Sequence, residues 1–322
     1  MNNELLHVEN LVKDFALRQD FLKRDKKVLR AVNDVSFTLK KGEILSLVGE
    51  SGCGKSTTAR LALRLLDPTS GRVLFKGQDI SRLSKKDMFP LRKKMQIVFQ
   101  DPYSSLNPRM TVKNILGEPL LTHGLRAKRD IRHAAEELLT LVGLPASFVD
   151  RYPHEFSGGQ RQRIGIARAL ALEPELIVCD EPISALDVSI QAQIVNLLKE
   201  LQHKLDLSYL FITHDLRVVR QISTNVAVMY LGRVVESGPV EEVFKNTSHP
   251  YTRALFSAIP NPDPAKKRDR ILLQGDVPSP LHPPPGCNFC TRCPMAEAIC
   301  SEEKPELKKV GEEHYSACHF SV

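Results

Sequence analysis

The chain has 322 residues, 42% of them hydrophobic, enough for one large or two modest domains with a substantial core. It holds no apolar run of ~18 residues, which excludes a membrane-spanning helix. Its 45 Lys and Arg against 38 Asp and Glu give a net charge of +7; this suits nucleotides, an anionic membrane surface or a merely solvated basic face, and the lack of Trp and scarcity of aromatics argue against a base-stacking nucleic-acid surface.

Met1-Asn2-Asn3-Glu4 carries no charged-then-apolar leader, so the chain is expected to stay in the cytoplasm and, if it works at a membrane, to dock there on other subunits. Residues 5–100 read as short strands around one helix. Val32, Val35, Phe37 and Leu39 hint at strand alternation, after a polar stretch at Lys23 to Lys27. Ile44 to Val48 has the pattern of a buried parallel strand. Gly49-Glu50-Ser51-Gly52-Cys53-Gly54-Lys55-Ser56 follows, a full G-x-x-x-x-G-K-S, and Thr57 to Leu66 reads as a helix. Strand, glycine-rich loop and helix in this order make a phosphate cradle. The glycines let successive N–H groups converge on phosphate oxygens, Lys55 reaches the β- and γ-phosphates, and Ser56 offers its hydroxyl to Mg²⁺. The helix start favours the anion. Gly49, Ser51, Gly52, Cys53, Gly54, Lys55, Ser56 and Thr57 are therefore the candidate nucleotide contacts.

Val98-Phe99-Gln100-Asp101-Pro102 ends the strand-rich part. The segment from about 102 to 165 changes character: Val112 to Leu121 and Ile131 to Val142 have helical spacing. Phe156-Ser157-Gly158-Gly159-Gln160 opens a helix running to about Ala171, and its serine and glycines can form a second anion nest. Leu176-Ile177-Val178-Cys179-Asp180-Glu181 is an apolar strand ending in two acids, the first suited to supporting Mg²⁺, the second to orienting or deprotonating water. From 172 to 240 apolar strands alternate with helices, as in a parallel sheet with crossovers, and Val188 to Leu205 is an amphipathic helix.

Taken singly, these residues have plainer readings: Gln100 as a polar strand end, His214 as a histidine at a strand terminus, Ser157 as an ordinary helix N-cap, Phe15 as core. Their order and spacing select the functional one. With them in place, the chain resembles the ATP-binding subunit of a peptide ABC importer, of the oligopeptide and dipeptide permease family, over nearly its whole length. The resemblance implies an α/β P-loop ATPase: a RecA-like parallel-sheet core, an N-terminal antiparallel β subdomain, an inserted helical subdomain and a small Cys-rich C-terminal extension. It divides the chain into an ATPase domain at 1–245, with the helical insertion at about 102–165, and an extension at 246–322. It implies that Phe15, or in competition Phe21, stacks on adenine. Gln100 contacts Mg²⁺ and water and senses the membrane partner; Ser157, Gly158, Gly159 and Gln160 form the signature loop. On the same resemblance Asp180 is expected to support the metal and Glu181 to be the catalytic acid. Ser184-Ala185-Leu186-Asp187 matches the family's loop that couples two active sites, and His214, in Ile212-Thr213-His214-Asp215, matches its switch near the γ-phosphate. Phe156 stands where the family usually has Leu. Tyr103-Ser104-Ser105-Leu106-Asn107-Pro108 lies on the surface that receives a coupling helix.

The implied working form is a dimer with a second ATPase subunit, by family habit a paralogue. ATP is sandwiched so that each signature loop faces the other subunit's γ-phosphate. Two transmembrane permease subunits and an extracytoplasmic peptide-binding protein complete the transporter at the cytoplasmic face of the membrane, with no nucleic acid involved. Close relatives move nickel or some sugars. A soluble ABC ATPase would usually carry paired cassettes or coiled-coil insertions, which this chain lacks, and Glu181 and His214 argue against a non-catalytic regulatory module.

The tail begins with His249-Pro250-Tyr251-Thr252, a motif of the same family. Residues 259–285 are too Pro-rich for a long helix or inner strand. Five of the seven cysteines fall in the last thirty-six residues: Cys287, Cys290, Cys293, Cys300 and Cys318. Cys53 and Cys179 read as reduced and structural. Disulfides are disfavoured in the cytoplasm, and spacing alone leaves an iron–sulfur cluster, a Zn²⁺ site beginning at Cys287-x-x-Cys290, or empty thiols. The resemblance implies a [4Fe–4S] cluster on Cys287, Cys293, Cys300 and Cys318, with Cys290 as an extra.

Overall fold

The computed structural model describes residues 3–16, 28–259 and 270–321. Phe21, the stretch Lys23 to Lys27 and residues 260–269 of the Pro-rich segment lie outside them. The chain separates into two compact units, one gathering residues 2–39, 44–82 and 213–322, the other residues 40–43 and 83–212. They are called here the cradle unit and the signature unit.

The cradle unit starts with strands β1 (Glu4–Ala16) and β2 (Val28–Lys40), continues through β3 (Ile44–Val48) and helix α1 (Lys55–Ala62), and reaches β4 (Ser70–Phe75) and β5 (Gln78–Asp79). β1 and β2 are thirteen residues each, longer than the short strands expected. Together with β4 and β5 they form a four-stranded sheet in the order β2-β1-β4-β5, with Leu6 opposite Phe75 across an antiparallel pair. Val32 and Val35 are both buried although three apart, because Asp34 adopts a left-handed φ of 61° and inserts an extra residue into the alternation. Helix α1 begins two residues before the expected Thr57 and ends four before Leu66, where Arg64 turns left-handed.

The signature unit holds α2 (Lys85–Arg92), β6 (Met95–Val98), α3 (Val112–Thr122), α4 (Ile131–Leu141), α5 (Gly158–Leu170), β7 (Leu176–Asp180), α6 (Val188–Leu205) and β8 (Ser208–Ile212). β6, β7 and β8 run parallel, with Ile97 opposite Val178 and Val178 opposite Leu210. Every residue of β7 and β8 is buried, as a strand covered on both faces requires. The strand-rich reading of residues 5–100 missed α2. Its start is nonetheless written in Ser84-Lys85-Lys86-Asp87, where the Ser84 hydroxyl accepts from the Asp87 N–H.

The chain returns to the cradle unit for α7 (Leu216–Ile222), β9 (Asn225–Tyr230), β10 (Arg233–Pro239), α8 (Val240–Lys245), α9 (Pro250–Ser257), α10 (Ala298–Glu302), β11 (Lys308–Gly311) and β12 (His314–Ser316). β9 lies parallel to β3 with Leu47 opposite Ala227, and β10, β12 and β11 add antiparallel strands in that order. Tyr230, Tyr251 and Phe289 are at most 1% exposed and pack into one core with Val48, Val228 and Val243. Among the described residues no helix is long and apolar enough to cross a membrane.

Candidate nucleotide site

In the cradle unit the loop after β3 wraps as its glycines dictate. Gly49 has φ 149°, and a Cβ there would stand 2.2 Å from the Met229 carbonyl oxygen. Gly54 has φ 105°, and a Cβ there would stand 2.4 Å from the Ala31 carbonyl oxygen. No other residue type fits either place. Lys55 is 5% exposed, and its ammonium donates to the carbonyls of Gly49 at 2.8 Å and Glu50 at 3.0 Å. With the Cys53 sulfur as a third contact at 3.8 Å, this fixes the charge on the loop itself. Ser51 and Gly52 are exposed on the loop's crest, while Ser56 and Thr57 are half-buried in the first turn of α1. Cys53 is buried and in no disulfide, and burial pushes its thiol above the ordinary range. Phe15 is half-buried, with the Lys13 ammonium 5.2 Å from its ring centre.

His214 is exposed immediately before α7. Its neighbours are tightly set: Thr213 donates its N–H to the Leu47 carbonyl, and its hydroxyl accepts from the Asp215 N–H at 3.0 Å. Asp215 caps α7, and Arg217 beside it holds that carboxyl below its usual range.

In the signature unit, β7 ends in Asp180, 3% exposed. Glu181 follows with φ 48°, a left-handed conformation unusual for a non-glycine residue, while its N–H still donates to the Ile212 carbonyl. Strain of this kind collects at functional positions. The turn aims the carboxylate at Gln100, whose Nε2 donates to Glu181 Oε2 at 2.9 Å. The residues around Gln100 are lashed to α5. The Arg161 guanidinium sits 3.9 Å from the Tyr103 ring centre, and Arg168 donates to the Ser105 carbonyl at 2.5 Å.

Ser157 caps α5 and is exposed. Its hydroxyl accepts from the Gln160 N–H at 3.4 Å, and the Gln160 side-chain oxygen accepts from the Ser157 N–H at 3.1 Å. This reciprocal box leaves the Ser157 O–H proton available to an anion. Gly158 is half-buried, and a Cβ on it would stand 3.3 Å from Leu186. Gly159 is buried; its Cβ would stand 2.5 Å from Ile190 on α6, so this glycine is required by close packing.

The tail meets the cradle directly. His249 caps α9, its Nδ1 accepting from the Tyr251 N–H at 3.1 Å, and the Tyr251 hydroxyl accepts from the Glu50 N–H at 2.9 Å. Burial depresses His249 to a pKa of about 4, against a smaller opposing pull from Glu236. Glu236 itself is fully buried, accepting from the Ser248 and His249 N–H groups and pairing with His314 at 2.8 Å. Sequence reading singled out the His249 motif but assigned it no task. Its task is to cap α9 and present Tyr251 to the phosphate loop. Arg292, missed altogether, pairs with Glu50 at 2.9 Å.

None of the seven cysteines is in a disulfide. Cys300 accepts the Cys287 N–H through its carbonyl at 2.8 Å, an approach that Gly286 permits because a Cβ there would stand 2.4 Å from that oxygen. Cys293 and Cys318 each accept a main-chain N–H on sulfur at 3.4 Å. Burial pushes the Cys287 thiol up to about 11, and the neighbouring thiols of Cys290, Cys300 and Cys293 add to the rise. Among the described residues, however, no three His, Cys, Asp or Glu side chains are grouped so as to hold a metal ion.

An ABC transporter model matches residues 32–184, and a model of the oligopeptide/dipeptide transporter C-terminal region matches residues 235–300. The oligopeptide transport ATP-binding protein AppF of Bacillus subtilis is 54% identical over 98% of this chain and 97% of its own. A putative peptide import ATP-binding protein of Brucella ovis is 51% identical over 98% and 97%. Among solved structures, a dimeric ATP-binding cassette, MJ0796, in a post-hydrolysis state with ADP and Pi is 29% identical, with a TM-score of 0.65 over 73% of this chain and 99% of its own. CbiO1 of Clostridium perfringens, part of an ABC transporter complex, is 31% identical, with a TM-score of 0.64 over 76% and 92%.

Proposed function

The chain belongs to the ABC transporter ATP-binding proteins of the oligopeptide/dipeptide type, and from that premise we propose that it hydrolyses ATP to energise import of peptides across the cytoplasmic membrane. The observation that carries the hydrolytic part is the Gln100–Glu181 contact at 2.9 Å, made by a glutamate whose backbone is turned left-handed to make it.

In this reading Lys55 and the loop N–H groups hold the β- and γ-phosphates, and Phe15 stacks on adenine. Ser56, Asp180 and Gln100 serve Mg²⁺, which when bound neutralises charge on the transferring phosphoryl group. Glu181 polarises the attacking water, and His214 answers to the γ-phosphate. Ser157, Gly158, Gly159 and Gln160 offer their nest to nucleotide held by a second ATPase subunit, so that ATP joins the pair and hydrolysis loosens it. The exposed Ser157 O–H supports this role. Residues 1–245 act as the ATPase domain with a helical insertion at about 102–165, and 246–322 as a Cys-rich extension. The chain docks on two permease subunits at the cytoplasmic face, fed by an extracytoplasmic peptide-binding protein. Import of nickel or another small solute is the alternative cargo.

For the tail we propose thiolate ligation by Cys287, Cys293, Cys300 and Cys318. What supports a [4Fe–4S] cluster is the supply of four thiols in this tail and the N–H donors on two of the sulfurs. Zn²⁺ is the alternative, and the lack of a three-donor metal-ion grouping among the described residues counts against that single-ion site more heavily. Iron, sulfide and zinc analysis of anaerobically purified protein decides between them; a metal-free tail would end both. For the main reading, complementing a strain lacking the subunit and measuring uptake of labelled di- and oligopeptides beside nickel tests the cargo. Peptide uptake without nickel uptake is expected, and nickel uptake alone would reverse the assignment.

A further inference from the structure

The phosphate loop is gripped from outside at its second residue. The Glu50 N–H donates to the Tyr251 hydroxyl at 2.9 Å. The Glu50 carboxylate takes both ends of the Arg292 guanidinium, at 2.9 and 3.3 Å. The Arg292 side chain is 9% exposed and that of Glu50 27%, so water screens the pair only in part. Arg292 also reaches the Tyr230 hydroxyl at 3.4 Å.

Arg292 is held in place by its own turn. The N–H of Cys290 donates to the Cys287 carbonyl, and that of Arg292 to the Phe289 carbonyl. Phe289, 1% exposed, is wedged between Tyr230 and Tyr251 with ring centres 5.3 and 5.4 Å away. An aromatic wedge and a forked cation thus leave the same turn of the cysteine-bearing tail. The cation meets a loop residue 242 positions earlier in the chain, and the wedge packs on Tyr251, whose hydroxyl holds the same residue's N–H.

We infer that the 287–293 turn braces the phosphate loop, and that Arg292 is a positioning residue for MgATP binding, acting through Glu50. The loop binds phosphates by N–H groups that must converge before the ligand arrives, and fixing them in advance lowers the ordering cost of binding. A two-pronged Arg–carboxylate contact fixes direction as well as distance. The inference rests on reading the loop as an ATP site.

The test uses the full-length protein, a fluorescent ATP analogue with Mg²⁺, ATP turnover, and thermal unfolding in parallel. Wild-type protein that binds no nucleotide would defeat the functional reading rather than the brace. With wild type binding, Arg292→Gln is expected to weaken affinity about five- to thirtyfold while turnover at saturating ATP stays within about twofold. Glu50→Gln weakens affinity in the same direction, and the double variant is no worse than the poorer single, since both remove one interaction. Arg292→Lys recovers only part, because an ammonium cannot span both oxygens. Unchanged affinity in a folded Arg292→Gln protein, even with a lower melting temperature, overturns the inference, as do multiplying effects in the double variant. Should Arg292→Gln fail to fold, Glu50→Gln alone decides by the same affinity criterion.

Discussion

The cradle and the carboxylate arm are built on opposite plans. In the cradle unit the phosphate loop is closed in: Lys55 is pinned by two loop carbonyls, Gly49 and Gly54 leave no room for a methyl, and Glu50 is gripped by Tyr251 and Arg292. In the signature unit Gln100 and Ser157 are exposed, and Glu181 is held in strained backbone. Groups that bind the ground state gain from being fixed beforehand, whereas groups that act on the reaction must adjust when nucleotide and a second subunit arrive. Substitutions in the cradle should therefore act on affinity and stability, and those in the signature unit on turnover.

The sharpest way to break this contrast is Gly54→Ala. With φ at 105° and a carbonyl oxygen 2.4 Å from the added methyl, the loop must move, and nucleotide affinity should fall at least about tenfold by fluorescence titration. Near-normal affinity would mean that the loop is far softer than described.

Acid should reveal the tail's rigidity next. His249 has a folded pKa of about 4 against an ordinary 6.5, so the unfolded chain binds more protons between those values. The stability contributed by the neutral imidazole is complete above pH 6.5. It is lost as pH falls toward 4, by up to about 3 kcal/mol. His249→Asn keeps a capping side chain and should flatten that part of the pH dependence of denaturant unfolding. An unchanged acid slope would remove His249 as its source.

A smaller effect is expected at Gly159. A methyl there meets the Ile190 side chain at 2.5 Å, a β-branched group on a helix that must shift to admit it, so Gly159→Ala should cost about 1–3 kcal/mol of stability. ATP turnover should fall further than affinity. The reverse pattern would place Gly159 with the cradle in behaviour.

The legibility of these two regions differed for a physical reason. The strand, loop and helix of the cradle, the strand ending at Asp180 and the helix start at Ser157 were readable as local structure, because strand, turn and helix start fix the geometry within a few residues of each motif. The amphipathic helix expected at Val188 to Leu205 is α6, with those bounds. Helix α2 escaped because Pro90 and a polar face hid its period, though its Ser84 cap was written in the sequence. The Asp34 insertion was legible only as a broken alternation. The Glu50–Arg292 pair could not be read, since it joins residues 242 apart and neither is unusual alone. The ligand set of the cysteine tail stays a matter of resemblance, because the five thiols come from the 287–293 turn, α10 and the segment after β12, and no local device selects four of them.

The most direct test of the central claim is ATP turnover by Glu181→Gln in the assembled transporter, with nucleotide affinity measured alongside. The amide keeps the Gln100 contact within reach but cannot take a proton from water. The account predicts turnover lower by about 10²- to 10⁴-fold, with affinity retained and an ATP-bound dimer accumulating on size-exclusion chromatography. Normal turnover in that variant would contradict it.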